Sequence, residues 1–215
     1  MARRTKVKEP KELIYVFCEG ESEIQYIEYM KNEFTKVSIL KPRKGMIPEA
    51  EKKFKNDPKL RDSLSETNEI WFFFDVESYD RDHWDDWAKS VKNLSRSNKK
   101  LKVRFLMTTA CIEYWFLLHY DQTAPSIQNQ SDKEHVISRL REHVSHYKKA
   151  DRDTIWEIAA NYTTAIKNGE WTLDNIQRVQ PIPNNSTQER DAWLFHCDHT
   201  FTTVHKAISH LKELS

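Results

Sequence analysis

Four carboxylates in this chain stand where carboxylates are uncommon. Glu19 closes the apolar run Leu13–Cys18 and is followed at once by Gly20. Asp75 and Glu77 close a second apolar run, 70–74, and Glu113 lies inside the nearly apolar I-E-Y-W-F-L-L-H that begins at Ile112. Carboxylates brought together repel one another unless cations neutralise them. A set of hard oxygen donors with open water positions suits Mg²⁺ or Mn²⁺. Two such ions, roughly 3.5–4 Å apart, activate a water and stabilise the leaving oxygen of a phosphodiester. Glu19, Asp75 and Glu77 are the candidate metal ligands, and Glu113 is a further oxygen donor or a general base. Singly each has a plainer account: Glu19 as a charge favourable to the dipole of the next helix, Asp75 and Glu77 as residues that end a strand. Taken together, with Glu113 set among aromatics, a metal centre accounts for them better.

These side chains need elements to position them. Leu13–Cys18 (L-I-Y-V-F-C) is short, β-branched and aromatic, as a strand buried on both faces would be. Ile24, Ile27, Met30 and Phe34 then fall on one helical face, and Ser22 with Gln25 three residues later predicts a capped helix start. The unit is strand, carboxylate, glycine, helix, which puts Glu19 at the strand's carboxyl end, where open α/β sheets bind ligands. Asp75 and Glu77 are two apart, so extended backbone projects them to the same side.

Residues 37–40 read as a second short strand. A basic loop with Lys41, Arg43 and Lys44 and a polar helix over 48–64 follow. Trp84, Trp87, Val91 and Leu94 form a helical stripe, and 101–107 a fourth strand. This alternation predicts an α/β sheet of about four mostly parallel strands flanked by helices. Beyond Cys111 strands give way to helical stripes at Ile112/Trp115/Phe116/His119, Val136/Leu140/Val144, Ile155/Ala159/Tyr162/Ile166 and Val204/Ala207/Ile208/Leu211. Residues 168–185, with Pro181 and Pro183, read as a loop or linker. The expected organisation is a basic tail over 1–12 (Arg3, Arg4, Lys6, Lys8), an α/β domain over 13–120, and a mainly helical region over 121–215 packed on the same core.

Composition removes several classes. Only three glycines occur in 215 residues, so neither a G-x-x-x-x-G-K-[ST] phosphate loop nor a G-x-G-x-x-G fingerprint can be written. The chain is not a nucleotide motor by itself. A formal charge of +1 gives no global pull on a polyanion; the basic clusters, including Lys99, Lys100, Lys102 and Arg104, are local. Cys18, Cys111 and Cys197 are odd in number and lack C-x-x-C spacing, which argues against a disulfide framework. No apolar run reaches the ~18 residues of a membrane span, and the charged first dozen residues do not read as a secretory signal, so a cytoplasmic location is expected. His196-Cys197-Asp198-His199 resembles a zinc tract, but four consecutive residues rarely reach one ion and no second ligand pair has the right spacing. His119 and the Trp84/Trp87 stripe read as core, with a supporting contact to Glu113 the alternative for His119. Ser22 reads as a cap and Cys18 as inert core.

The segments V-F-C-E-G-E-S-E-I-Q-Y-I, F-F-F-D-V-E and C-I-E-Y-W-F-L-L-H-Y, with Tyr147-Lys148-Lys149 and Phe201-Thr202-Thr203-Val204 further on, resemble the RloB/AbiLii family, a branch of the Toprim superfamily. The resemblance implies a Toprim-like sheet with Glu19 as the strand-end glutamate and Asp75 as the first carboxylate of a D-x-D motif. Glu77 stands where the second aspartate is usual, one methylene longer. Glu113 matches an E-x-W segment, and Lys149 a late lysine that stabilises transition-state charge. It further implies a Mg²⁺- or Mn²⁺-dependent nuclease effector of anti-phage defence, acting on RNA (tRNA first) or DNA and controlled by an ABC/AAA-type ATPase partner. Apart from the resemblance, the local basic residues Arg43, Lys44 and Lys148 are candidate nucleic-acid contacts, no membrane association is expected, and a homo-oligomer is an option. The alternative is a catalytically degenerate module that regulates or scaffolds the ATPase.

Overall fold

A computed structural model describes residues 11–215 apart from Ser97, and describes Ser78, Tyr79 and Asp80 in backbone only. The basic tail expected over 1–12 thus lies almost wholly outside the described residues. Strand β1 (Leu13–Cys18) leads into helix α1 (Glu21–Glu33), then the short strands β2 (Ser38–Ile39) and β3 (Arg43–Lys44). Helices α2 (Ile47–Asn56) and α3 (Pro58–Ser63) precede β4 (Glu69–Val76), a 3-10 turn at Ser78–His83, α4 (Trp84–Leu94) and β5 (Lys102–Thr109). Helices α5 (Ile112–Leu117), α6 (Gln130–His143), α7 (Arg152–Ala159), α8 (Tyr162–Val179), α9 (Thr187–His196) and α10 (Val204–Glu213) complete the chain.

The sheet runs β2-β1-β4-β5 with every pairing parallel, and β3 joins the carboxyl end of β1. Burial on both faces explains why the strands are apolar throughout. Ile14, Val16, Cys18, Trp71, Phe73 and Leu106 point into a core shared with α1, α5, α6, α7, α8 and α10. Tyr15, Phe17, Phe72, Phe74 and Met107 point the other way, against Phe54, Trp84, Trp87, Leu194 and Phe195. Strand order and chain order part at β1: the chain leaves it toward β2 on one side and returns to β4 on the other. A crevice opens at such a switch point, at the strands' carboxyl ends.

Four elements depart from the pattern read in the sequence. Arg43 and Lys44, expected in a loop, form β3 against Phe17 and Cys18. The helix expected over 48–64 is two helices, because Pro58 lacks a donor and restricts Asp57, which caps α3 by accepting from the Lys59 N–H at 2.9 Å. Helices α7 and α8 likewise divide the stripe expected to run from Ile155 to Ile166. The loop expected over 168–185 is largely helix, since α8 continues to Val179. Gly169 sits within it, where a Cβ would come within 2.9 Å of His205 on α10. The glycine is a close-approach point between two helices. Residues Thr202 and Thr203 also return to the sheet: Thr202 bridges Thr108 antiparallel, and the Thr203 hydroxyl donates to the Phe105 carbonyl at 2.7 Å.

Candidate acidic centre

The parallel register sets the carboxyl ends of β1 and β4 side by side, Cys18 opposite Phe73. Glu19, the next residue, donates its N–H to the Phe73 carbonyl at 3.0 Å, and its Oε2 accepts the Asp75 N–H at 3.0 Å. One carboxylate therefore spans two strands and fixes the backbone from which Asp75 projects. Asp75 Oδ1 is buried and has no hydrogen-bond partner among the described residues. Glu113 enters from the far side of β4, on the first turn of α5, and is 1% exposed. Ala110, at φ +64°, makes the turn that delivers it, donating its N–H to the Val76 carbonyl at 3.0 Å. A non-glycine residue held in this region stores roughly 1–3 kcal/mol of strain, which persists where neighbours over-determine the geometry.

Glu113 is held by two groups from the segment after α6. Tyr147 donates its hydroxyl to Glu113 Oε1 at 3.0 Å, and Lys149 Nζ lies 3.7 Å from the same oxygen. Ala150, at φ +62°, turns the chain there and donates its N–H to Ser22 Oγ at 3.1 Å. Ser22 is thus not the helix cap expected from the sequence. Gly20 occupies the N-cap with no side-chain cap bond, and the Ser22 hydroxyl ties α1 to the Lys149 segment instead.

A further carboxylate belongs to this centre. Glu23, 4% exposed, lies on the buried face of α1 with Tyr26, Ile27 and Met30. It also explains Gly20. That residue's backbone is extended (φ −128°), but a Cβ there would meet Glu23 Oε2 at 2.8 Å. The signal was present in the sequence: Glu23 stands three, four and seven residues before Tyr26, Ile27 and Met30, the spacing of one helical face.

The electrostatics follow from this crowding. Burial, then the charges of Glu19 and Glu113, push the Glu23 carboxyl up to about 7. Burial and the charges of Glu23, Glu19 and Glu113 hold Asp75 well above the usual carboxylate range. Lys149 is raised, chiefly by Glu113. Burial followed by Glu113 likewise lifts the Cys111 thiol to about 12, which leaves it inert. Among the described residues, Lys149 lies 3.7 Å from Glu113 and is raised by Glu113, Asp75 and Glu23, and the buried Asp75 Oδ1 lacks a donor. The donor set is oxygen throughout, with no imidazole or thiolate, and fits a hard divalent cation.

The structure therefore brings together Glu19, Asp75, Glu113 and Lys149, and adds Glu23 and Tyr147. Glu77 stands apart: its Oε1 pairs with Lys133 Nζ at 2.9 Å, and it lines an adjoining cleft. Arg43 and Lys44 lie exposed beside the end of β1, and Lys148 is exposed beside Lys149, so these cations flank the crevice. His119 is core, bonded to the Tyr26 hydroxyl at 3.1 Å and the Trp115 carbonyl at 2.9 Å. Of the zinc-like tract, His196 bonds the Ala192 carbonyl within α9, while Cys197, Asp198 and His199 line the cleft beside Glu77. Among the described residues, Glu12, Glu69 and His210 are the trio of possible metal ligands whose atoms lie within 4.8 Å of one another. They sit at the opposite end of the strands, where Glu69 is already engaged. Burial would raise its carboxyl, but hydrogen bonds from Arg104 (2.5 and 3.0 Å) and Trp71 (2.7 Å) hold it below the usual range.

The fold and the crevice define a class: a doubly covered parallel α/β protein with an acidic centre at its topological switch point. A family model for RloB-like proteins matches residues 14–211, and the chain belongs to that family. No curated protein and no solved structure matches the chain. Among the described residues no helix is long and apolar enough to cross a membrane.

Proposed function

We propose that this chain is a divalent-cation-dependent phosphodiesterase of the Toprim type, an anti-phage effector that cleaves RNA, tRNA foremost, or DNA under the control of a partner ATPase. The observation that carries it is the unpartnered buried Oδ1 of Asp75 among Glu19, Glu23 and Glu113. A buried polar atom of this kind is completed by a bound water or an ion, and the carboxylates around it favour a cation. Glu19, Asp75 and Glu23 would hold Mg²⁺ or Mn²⁺, with Glu113 beside them. The bound cations would supply a water acidic enough to attack at neutral pH and offset the charge of the leaving oxygen. Glu19 fixes the Asp75 backbone, Tyr147 orients Glu113, and Lys149 places one cation at the rim for phosphate charge. Arg43, Lys44 and Lys148 would take neighbouring phosphates. With no phosphate loop in this sequence, the ATPase of this reading is a separate chain.

The Glu77–Lys133 pair favours a second reading, in which the centre is degenerate and the chain regulates or scaffolds its ATPase. Incubation of purified wild type and Glu19→Gln with tRNA, single-stranded RNA and plasmid DNA in Mg²⁺ and Mn²⁺ separates the two. Hydrolysis by wild type with at least a 100-fold loss in the variant supports the phosphodiesterase. Cleavage by neither protein supports the scaffold, and equal cleavage by both removes the assignment of Glu19.

A further inference from the structure

A cavity of about 430 Å³ opens beside the acidic centre, within the roughly 300–1,000 Å³ that small-molecule sites occupy. Val76 and Glu77, which directly follow Asp75, form one wall, and Ala110, three residues before Glu113, forms another. The start of α6 and the segment after α9 close it. Its charges are balanced: Glu77 pairs with Lys133 at 2.9 Å, and Arg81 Nη2 pairs with Asp198 at 2.7 Å. Such a lining does not select a bare phosphate, which would need surplus cation. It offers carboxylate acceptors, guanidinium and ammonium donors and the Gln128 amide, over an apolar floor of Val76, Ile127 and Phe201. That is the chemistry that reads the edge of a nucleobase while its flat face packs on apolar side chains.

Arg81 adds an independent mark. Its Nη2 serves the Cys197 carbonyl (3.2 Å) and Asp198, but its Nε is buried and has no hydrogen-bond partner among the described residues. A buried, unused donor in a cavity wall is relieved by an acceptor on a ligand.

We infer that this cleft receives one unstacked nucleoside next to the phosphate held at the acidic centre, so that the substrate is single-stranded or splayed there. The inference rests on the phosphodiesterase reading for its neighbour, though not for its own chemistry. A base within a duplex is stacked and paired, and entry would require extruding it at a cost of a few kcal/mol.

The test is fluorescence anisotropy of labelled U10, dT10 and a ten-base-pair duplex, with Ca²⁺ replacing Mg²⁺ so that strands stay intact. The expected result is at least tenfold tighter binding of U10 or dT10 than of duplex; which of the two binds tighter assigns RNA or DNA. Gln128→Trp, placed at an exposed position to fill the mouth, should bring the single-strand Kd to the duplex value with unchanged Tm, and Arg81→Gln should do the same with a Tm lowered by a few degrees, since it also loses the bonds to Cys197 and Asp198. Equal affinity for single strand and duplex, or a preference that survives both variants, overturns the inference. Loss of all cleavage in Mg²⁺ with the preference intact would remove the hydrolytic reading and leave the cleft. Cleavage without the preference would remove the cleft alone.

Discussion

Glu23 decides how the acidic centre titrates on its own. Its carboxyl is pushed up to about 7, by burial first and then by Glu19 and Glu113, against roughly 4.3 in an unfolded chain. The folded state therefore prefers the protonated form. That preference stabilises fully below about pH 4.3 and is lost as pH rises through 7. Asp75 is shifted in the same direction. In EDTA, Glu23→Gln should match wild type near pH 4 and exceed its Tm by roughly 7–14 °C at pH 7.5. Mn²⁺ at pH 7.5 should narrow that gap, because it compensates the charge the glutamine lacks. Differential scanning fluorimetry across pH reads all three. A gap independent of pH would place the effect in packing rather than in charge. Much of this centre was legible from the residues. A carboxylate ending a buried strand has few structural uses, and Glu19, Asp75 and Glu113 stand together as their positions suggested. Alternation alone would place Glu77 in the same cluster, since residues two apart in extended backbone project to one side. The 3-10 turn that follows and Lys133 on α6, far off in sequence, draw its carboxylate into the neighbouring cleft.

The elements show where local pattern and tertiary packing disagree. Strands β1 and β4 and helices α1 and α4 were readable because a segment buried on both faces, or one with a single apolar stripe, admits one period. Helix α8 was hidden by Gly169, a residue weak in helix interiors. There α10 passes so close that His205 Cβ would lie 2.9 Å from an added Cβ. Gly169→Ala should therefore destabilise, although alanine is the better helix former; overpacking at such a contact costs about 1–3 kcal/mol. Urea denaturation measures this, and a stabilised variant would show that α8 and α10 separate freely. Strand β3 was hidden for the opposite reason. Arg43 and Lys44 have no apolar pattern, and only pairing with β1 makes them a strand.

At the scale of the whole molecule, the helices after Tyr120 are part of what holds the sheet and the site. One apolar core joins Ile14, Val16 and Trp71 to Leu140, Ile155, Ala165, Val204 and Leu211. Thr202 and Thr203 strap the outer side of β5, and Tyr147, Lys149 and Ala150 complete the acidic centre. A fragment of residues 13–120 would leave Trp115, Phe116 and Leu117 uncovered and Glu113 without its tyrosine. It should lack a cooperative thermal transition by circular dichroism, whereas a fragment that melts sharply would show that the later helices are dispensable to the core.

On the proposed reading, the carboxylates at the ends of β1 and β4 hold a divalent cation. Isothermal titration of Mn²⁺ at pH 7, in two buffers of different ionisation enthalpy, tests it most directly. Wild type should bind with a buffer-dependent heat, because the cation displaces protons from Glu23 and Asp75, and Asp75→Asn should lose at least 100-fold in affinity at unchanged fold. No binding by wild type, or equal binding by Asp75→Asn, would show that these carboxylates hold no cation.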